Sequence, residues 1–121
     1  MDGMGEKALV SLEAAARLLD QGYVDPAASR LYYATFQASV HAYETRLGRR
    51  PGDFRLGEKE WRHDLVGGNA ALIRGRREDV RFIRALRDLR ERADYKPVGV
   101  DRETLETRRR QAEEFVREVT A

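Results

Sequence analysis

Arg90 is the residue whose predicted position most needs a chemical explanation. It falls on the apolar face of a predicted helix, beside Ile83 and Leu86. A buried guanidinium must find an acceptor, because an unpaired buried charge is strongly destabilising. Asp94 lies one helical turn further on and Tyr95 adds a hydroxyl next to it. This pattern fits a polar pair that locks two helices, or a preorganised site for an anion such as RNA phosphate.

Arg30 and His63 are the other candidates for such a site. Arg30 lies on a different predicted helix and could compete for the Asp94 carboxylate. His63 follows Trp61 and Arg62 near a predicted helix start, where free amide groups and arginine favour phosphate. Its imidazole could be a general base or a phosphate ligand. The alternative is a partly buried surface histidine beside a tryptophan.

Other chemistries lack the residues they need. The chain has no cysteine, which excludes disulfides and thiolate sites. Its two histidines are far apart and its carboxylates form no metal motif, so we expect no metal and no cofactor. Gly67 and Gly68 are not followed by the lysine of a phosphate loop, and no serine is set up as a nucleophile. Metal-free RNA cleavage stays possible, since it needs only an arginine, an acid–base group and phosphate positioning.

Positive charge is concentrated in the middle of the chain. The net charge is only +2, yet residues 46–92 carry 14 basic and 8 acidic side chains. Twenty of the 23 basic residues are arginine. A genome that prefers arginine would explain this bias. A basic segment directed at phosphates would explain it as well, because the planar guanidinium suits bidentate phosphate contacts.

The elements that must position these residues are all predicted to be helices. Apolar residues recur at helical spacing over about 6–21, from Asp25-Pro26 to about Leu47, from near Glu58, over about 78–93, and from Asp101. Asp25 is the expected cap of the second helix. Residues 49–57 read as a loop, and no alternating strand pattern occurs. The sequence predicts an all-α, up-and-down bundle of four to five antiparallel helices. Residues 1–121 would form one domain, with a core over about 6–97 and a C-terminal helix over about 101–120.

The second helix is apolar around most of its circumference and is therefore expected to lie centrally. The polar residues of this helix form one line along it. That line either faces water or forms the floor of a groove or a dimer interface. The line consists of Arg30, Tyr33, Gln37, His41 and Glu44. The chain start has no apolar block and no long apolar run follows, so we expect a cytoplasmic protein that does not enter a membrane.

Two blocks of this sequence resemble the HEPN superfamily of small helical domains. The block on the fourth helix, Leu89 to Tyr95, is similar to the end of helix four in a bacterial and archaeal branch, which often has a histidine near the position of His63. The block on the second helix resembles the family's helix-two signature: Ala28-Ser29-Arg30-Leu31-Tyr32-Tyr33-Ala34-Thr35-Phe36-Gln37-Ala38. The resemblance spans about Ala8 to Pro97. It implies a helical bundle that forms a homodimer, with the two helix-four ends facing a shared cleft.

The resemblance also implies a function. Many HEPN proteins are metal-independent ribonucleases, or toxins paired with a minimal nucleotidyltransferase, and their active motif is an arginine followed after four to six residues by a histidine. Here Arg90 is followed by Asp94 and Tyr95 and by no histidine, and neither residue shuttles protons readily near pH 7.

We therefore favour a non-catalytic dimeric HEPN protein that is the partner of a nucleotidyltransferase, binds nucleotide or RNA phosphate, or does both. The expected ligand-binding residues are Arg30, Tyr33, Arg90, Asp94 and Tyr95. The alternative is a metal-independent endoribonuclease that uses Arg90 with His63 or Tyr95. A third possibility is a scaffold in which the polar pair merely holds the bundle. In some pairs of this superfamily the partner transfers AMP to a tyrosine, and Tyr95 is the position expected for such a modification.

Overall fold

Helices make up the regular structure of this chain. The computed structural model describes residues 3–121, and no strand occurs within them. Four helices are long and three are short: α1 (Gly3–Asp20), α2 (Val24–His41), α3 (Pro51–Phe54), α4 (His63–Gly68), α5 (Ala71–Arg74), α6 (Glu78–Tyr95) and α7 (Arg102–Thr120). The predicted all-α bundle is confirmed. No helix in residues 3–121 combines the length and the apolar character needed to cross a bilayer.

Helix α2 is the central element of the bundle. It packs against α1, α6 and α7, as its broad apolar surface predicts. Several of its buried positions are alanines, including Ala28, Ala34 and Ala38, all fully inaccessible to solvent. Small side chains of this kind let neighbouring helices approach closely. Its polar line stays less buried: Arg30 is exposed, and Tyr33 and Gln37 are half-buried.

The start of α2 differs from the prediction in the role of Asp25. The helix begins at Val24 and has no side-chain cap, so the expected capping by Asp25 is wrong. The Asp25 carboxylate instead accepts a hydrogen bond of 2.8 Å from the backbone N–H of Val100, 75 positions away. It therefore fastens the start of α2 to the segment that leads into α7. That helix begins after Asp101, as expected, and the Asp101 side chain accepts from the Thr104 N–H.

Gly99 leaves room for this contact, and its replacement by alanine is expected to be destabilising. A Cβ at this position would lie 2.9 Å from one Asp25 carboxylate oxygen and 3.1 Å from the other. The carboxylate would have to give up its hydrogen bond to Val100, at a cost of about 1–2 kcal/mol. Chemical denaturation would measure the loss. The control is Gly68→Ala, since a Cβ there meets nothing within 4 Å. Equal stability of the two variants would contradict the proposed tie.

The middle of the chain departs most from the prediction. The third helix does not begin near Glu58; α4 begins at His63 and Trp61 precedes it. The stretch predicted as a loop contains the short helix α3. Both differences come from a second, small apolar cluster, in which Trp61 stacks on Tyr43 with ring centroids 5.1 Å apart. The Trp61 indole N–H also donates to Glu44, so tertiary contacts hold this residue in place without a helix.

Tyr43 anchors this second cluster from the end of α2. It lies in a single π-helical turn, Ala42–Arg46, that continues α2. Its hydroxyl donates a 2.6 Å hydrogen bond to the backbone carbonyl of Val66 in α4. Burial raises the pKa of Tyr43 well above its ordinary value. The residues between α2 and α4 are thus fixed by this second cluster, which meets the main core at Phe36 and Ile73.

A nearly buried ion pair fastens α5 and α6 to α7. The Arg74 side chain is 7% exposed and donates two hydrogen bonds, of 2.7 and 2.9 Å, to the carboxylate of Asp79. The same guanidinium lies 5.0 Å from the centre of the Phe115 ring and also pairs with Glu114 and Glu118. Hydrogen bonds to these carboxylates, first of all Asp79, raise the pKa of Arg74.

Candidate functional site

Helices α2, α4 and α6 bring five basic and aromatic side chains together. Helix α2 supplies Tyr32 and Tyr33, the first residue of α4 is His63, and α6 supplies Arg87 and Arg90. We call these five residues the basic–aromatic cluster. The three helices are distant in sequence, so the cluster exists only in the folded chain.

A buried phenol forms the centre of the cluster. Tyr32 is 1% exposed, and its hydroxyl lies 2.7 Å from Nδ1 of His63. Burial raises the pKa of Tyr32 to about 12, although the positive charges of Arg87 and Arg90 work against this rise. The phenol therefore keeps its proton at physiological pH. When it donates that proton to Nδ1, the neutral imidazole carries its own hydrogen on Nε2 and can donate there to a ligand.

The imidazole of His63 is kept neutral by its surroundings. Its ring packs on Phe36 at 4.7 Å and on Tyr32 at 5.5 Å between centroids. Partial burial lowers its pKa, and the positive charges of Arg87 and Arg90 lower it further. An anion that entered the cluster would offset those charges and would accept from the imidazole.

Arg90 is held against the two tyrosine rings. Its side chain is 16% exposed, and its guanidinium carbon lies 5.1 Å from the Tyr33 ring centre and 5.8 Å from that of Tyr32. Its Nε lies 3.3 Å from an Asp94 carboxylate oxygen, but this buried Nε makes no hydrogen bond. The contact is therefore an ion pair without the directional part of the interaction.

The Nε of Arg87 is also buried and without an acceptor among residues 3–121. Its nearest carboxylate, that of Glu91, is 3.7 Å away. A buried donor left unsatisfied costs about 1–3 kcal/mol. Two arginines one helical turn apart on α6 therefore each carry a buried donor that residues 3–121 leave without a hydrogen bond.

A pocket opens beside the cluster between α4 and α6. Its volume is about 90 Å³. Its lining combines side chains of the cluster with two glycines and a further arginine: Tyr32, His63, Asp64, Gly67, Gly68, Ile83, Arg84 and Arg87. We call it the α4–α6 pocket. Within residues 3–121, no group of three or more acidic or histidine side chains is arranged to hold a metal ion.

The structure brings together four of the ligand-binding residues expected from the sequence. Arg30 lies 5.8 Å from the centre of the Tyr33 ring, and Arg90 packs on that ring and pairs with Asp94. Tyr95 does not join them, because its side chain turns outward and is 71% exposed.

His63 joins the same cluster through the two tyrosine rings. Tyr32, Arg84 and Arg87 are the site residues that the sequence reasoning missed. Arg87 carries a usable signal, since it lies one helical turn before Arg90 on the same face. Tyr32 looks like an ordinary core residue in the sequence.

The stability of the protein is expected to fall with acidification because of His63. In the unfolded chain this histidine takes up a proton near its ordinary pKa of 6.5, whereas the folded state resists protonation until lower pH. The stability that the neutral imidazole contributes is therefore lost as the pH falls from 6.5 through the lowered pKa. Melting temperatures measured between about pH 8 and about pH 5 test this. The fall should be smaller in His63→Gln, and parallel curves for the two proteins would contradict the assignment.

Comparison with protein-family models matches residues 3–121 to the HEPN domain. Neither the curated proteins nor the solved structures give a match to this chain. The family match extends over almost the whole chain and agrees with its helical architecture. This chain therefore belongs to the HEPN-domain family.

Proposed function

We propose that this chain is a non-catalytic, homodimeric HEPN protein that binds the phosphate of a nucleotide or RNA at the basic–aromatic cluster, as the partner of a nucleotidyltransferase. The observation that carries the proposal is the pair of arginines, Arg87 and Arg90, whose buried Nε atoms lack acceptors beside the same phenol. The Arg87 and Arg90 side chains are partly exposed, so a phosphate could offer its charge and its acceptor oxygens to the accessible part of each guanidinium.

Arg90 is well prepared for such a ligand. Its guanidinium packs over the Tyr33 ring and pairs with Asp94, so little side-chain freedom would be lost on binding. Arg87 and His63 add donors at the pocket next to it. Arginine forks match phosphate oxygens in a bidentate way, which a lysine would not do.

Binding without cleavage fits one of the two His63 tautomers that the contact with Tyr32 allows. The ribonucleases that this family includes use a histidine shortly after the arginine, and this chain has Asp94 and Tyr95 in that stretch. With Tyr32 donating to Nδ1, the His63 imidazole offers an N–H to a ligand and no basic nitrogen. The cluster then positions a phosphate but lacks the group that would take a proton from a ribose hydroxyl.

The alternative is a metal-independent endoribonuclease that uses His63. The observation in its favour is that the lowered pKa of His63 keeps the imidazole neutral next to Arg87 and Arg90. In the opposite tautomer, Nδ1–H donates to the Tyr32 oxygen, and Nε2 is then free to accept the proton of a 2′-hydroxyl. Arg90 would stabilise the charge on the phosphate.

Binding of fluorescently labelled RNA, followed by anisotropy, tests the phosphate site. Arg87→Gln and Arg90→Gln should each weaken binding by about tenfold or more, because each removes a charge-assisted contact. Both should also reduce the salt dependence of binding. Arg117→Gln is the matched control, since it removes an exposed arginine on α7. The site is wrong if both cluster variants bind as tightly as the Arg117 variant.

Cleavage of the same RNA in the presence of a chelator separates the two functions. Intact RNA supports the non-catalytic function. Cleavage that disappears in His63→Gln and persists in Arg117→Gln supports the alternative.

The proposed assembly has its own test. The half-buried Tyr33 and exposed Arg30 on α2 lie next to the α6 end, so a second copy placed there would form a shared cleft. Light scattering should give a dimer mass, and a nucleotidyltransferase encoded beside the gene should co-purify. A monomer that retains no such enzyme would contradict this part of the proposal.

A further inference from the structure

The α4–α6 pocket is lined by buried residues on one side and by exposed residues on the other. Its inner wall is formed by residues that are buried in the bundle, namely Tyr32, Gly67 and Ile83. The residues at its mouth, including Gly68 and Arg84, are exposed. A small pocket with a buried inner wall favours the end of a molecule, whereas an internal phosphodiester would need room for the chain to continue on both sides.

The volume of the pocket limits what can enter. At about 90 Å³ it holds the equivalent of about three water molecules. A cavity that takes a benzene ring measures about 150 Å³, so a nucleobase is too large for this pocket. A single phosphoryl group is small enough.

The charge of the lining also favours a terminal phosphate. Arg84, Arg87 and His63 are potential donors in the lining, and Asp64 is its one carboxylate. The Asp64 carboxylate already accepts a 2.8 Å hydrogen bond from Arg55, which offsets its charge. A phosphate monoester carries about −1.5 to −2 at neutral pH and three acceptor oxygens, more than a diester offers.

We infer that the α4–α6 pocket is a terminal-phosphate site, which selects a phosphate monoester over an internal phosphodiester. This inference rests on the proposed phosphate-binding function and specifies its ligand. The same monoester group is present at a phosphorylated RNA end and on a free nucleoside monophosphate. In either case the base and sugar would remain outside the pocket, near Arg84 at its mouth.

The experiment compares RNAs of one sequence that differ only at their ends. Oligonucleotides with a 5′-phosphate, a 3′-phosphate or two hydroxyl ends compete against a labelled RNA, and a nucleoside monophosphate competes against its nucleoside. We expect at least one phosphorylated end to bind about tenfold more tightly than the hydroxyl form. A preference seen only among the RNAs identifies an RNA end as the ligand. An equal preference for the nucleoside monophosphate over its nucleoside shows that the phosphate monoester is sufficient for recognition.

Gly68→Leu tests the pocket by filling it. A Cβ at this position meets no neighbouring atom within 4 Å, so the backbone has room for a side chain there. The leucine should abolish the preference for the phosphorylated end, and Arg84→Gln should reduce it. Ala14→Leu, at a half-buried position of α1 outside the pocket lining, is the control that should keep the preference. Circular dichroism of each variant verifies folding.

The outcomes separate this inference from the proposed function. Equal affinity for phosphorylated and hydroxyl ends, with RNA binding still dependent on Arg90, overturns the terminal-phosphate site and leaves the proposed function standing. A preference that survives Gly68→Leu also overturns it. Failure of every RNA and nucleotide to bind overturns both.

Discussion

Asp79→Ala is expected to lower the free energy of unfolding by about 2–4 kcal/mol, because it leaves a nearly buried guanidinium without its buried partner. Asp79 is 2% exposed and accepts two hydrogen bonds from Arg74, whose side chain is 7% exposed. The other carboxylates that reach Arg74 belong to exposed residues and are screened by solvent. They cannot replace a buried partner. Urea denaturation followed by circular dichroism measures the loss.

Replacement of both partners distinguishes a stranded charge from lost packing. The double variant Arg74→Met with Asp79→Leu should recover most of the stability, since a buried ion pair exchanged for apolar side chains of similar size is often neutral. Glu118→Ala removes an exposed partner of the same arginine and should cost no more than about 1 kcal/mol. A double variant as unstable as Asp79→Ala would show that the stranded charge is not the cause.

Phe115→Ala is expected to cost about 3–5 kcal/mol, the range for removal of a fully buried aromatic side chain. Phe115 is inaccessible to solvent, and its ring packs on Phe82 with centroids 5.8 Å apart. The Phe115 ring also contacts the Arg74 guanidinium, whose carbon lies 5.0 Å from the ring centre. The substitution therefore opens a cavity and removes a cation–π contact at the same place. Thermal and chemical denaturation both measure the loss.

Two further variants divide the contribution of Phe115. Phe115→Leu keeps an apolar side chain and should cost about 1–2 kcal/mol, since the cavity is smaller. Val98→Ala truncates a side chain that is 73% exposed and should change the stability by no more than about 0.5 kcal/mol. A loss for Phe115→Ala no larger than that for Val98→Ala would contradict the packing described above.

The long helices can be predicted from the sequence because each is defined by the spacing of apolar residues within its own segment. The apolar spacing of α1, α6 and α7 predicts the bounds of each helix to within a few residues. Helix α2 is recognisable as the central helix because apolar residues cover most of its circumference. The region from 47 to 77 cannot be predicted in this way. Its shape depends on contacts such as that of Trp61 with Tyr43, and apolar spacing says nothing about which distant residue an aromatic ring will meet.

The candidate site likewise contains contacts within one helix, which the sequence predicts, and contacts between helices, which it does not. The approach of Arg90 to Asp94 follows from their separation of one helical turn. Tyr95 is one position further, about 100° around the helix, and therefore faces solvent. The meeting of Tyr32 with His63, and of both with Arg87, joins three helices and has no signature in a single sequence. The sequence therefore predicts Arg90 and its pairing with Asp94 but not the basic–aromatic cluster that surrounds it.

The second cluster, which contains Tyr43 and Trp61, has a thermodynamic consequence for ligand binding in the α4–α6 pocket. It fixes the segment that ends at His63, while the arginines belong to the main bundle. We expect such a segment to be able to open without global unfolding. The binding of a ligand and the closure of this segment are then thermodynamically linked. An anion that contacts both His63 and the α6 arginines stabilises the closed segment, and closure increases the affinity for the anion by the same free energy.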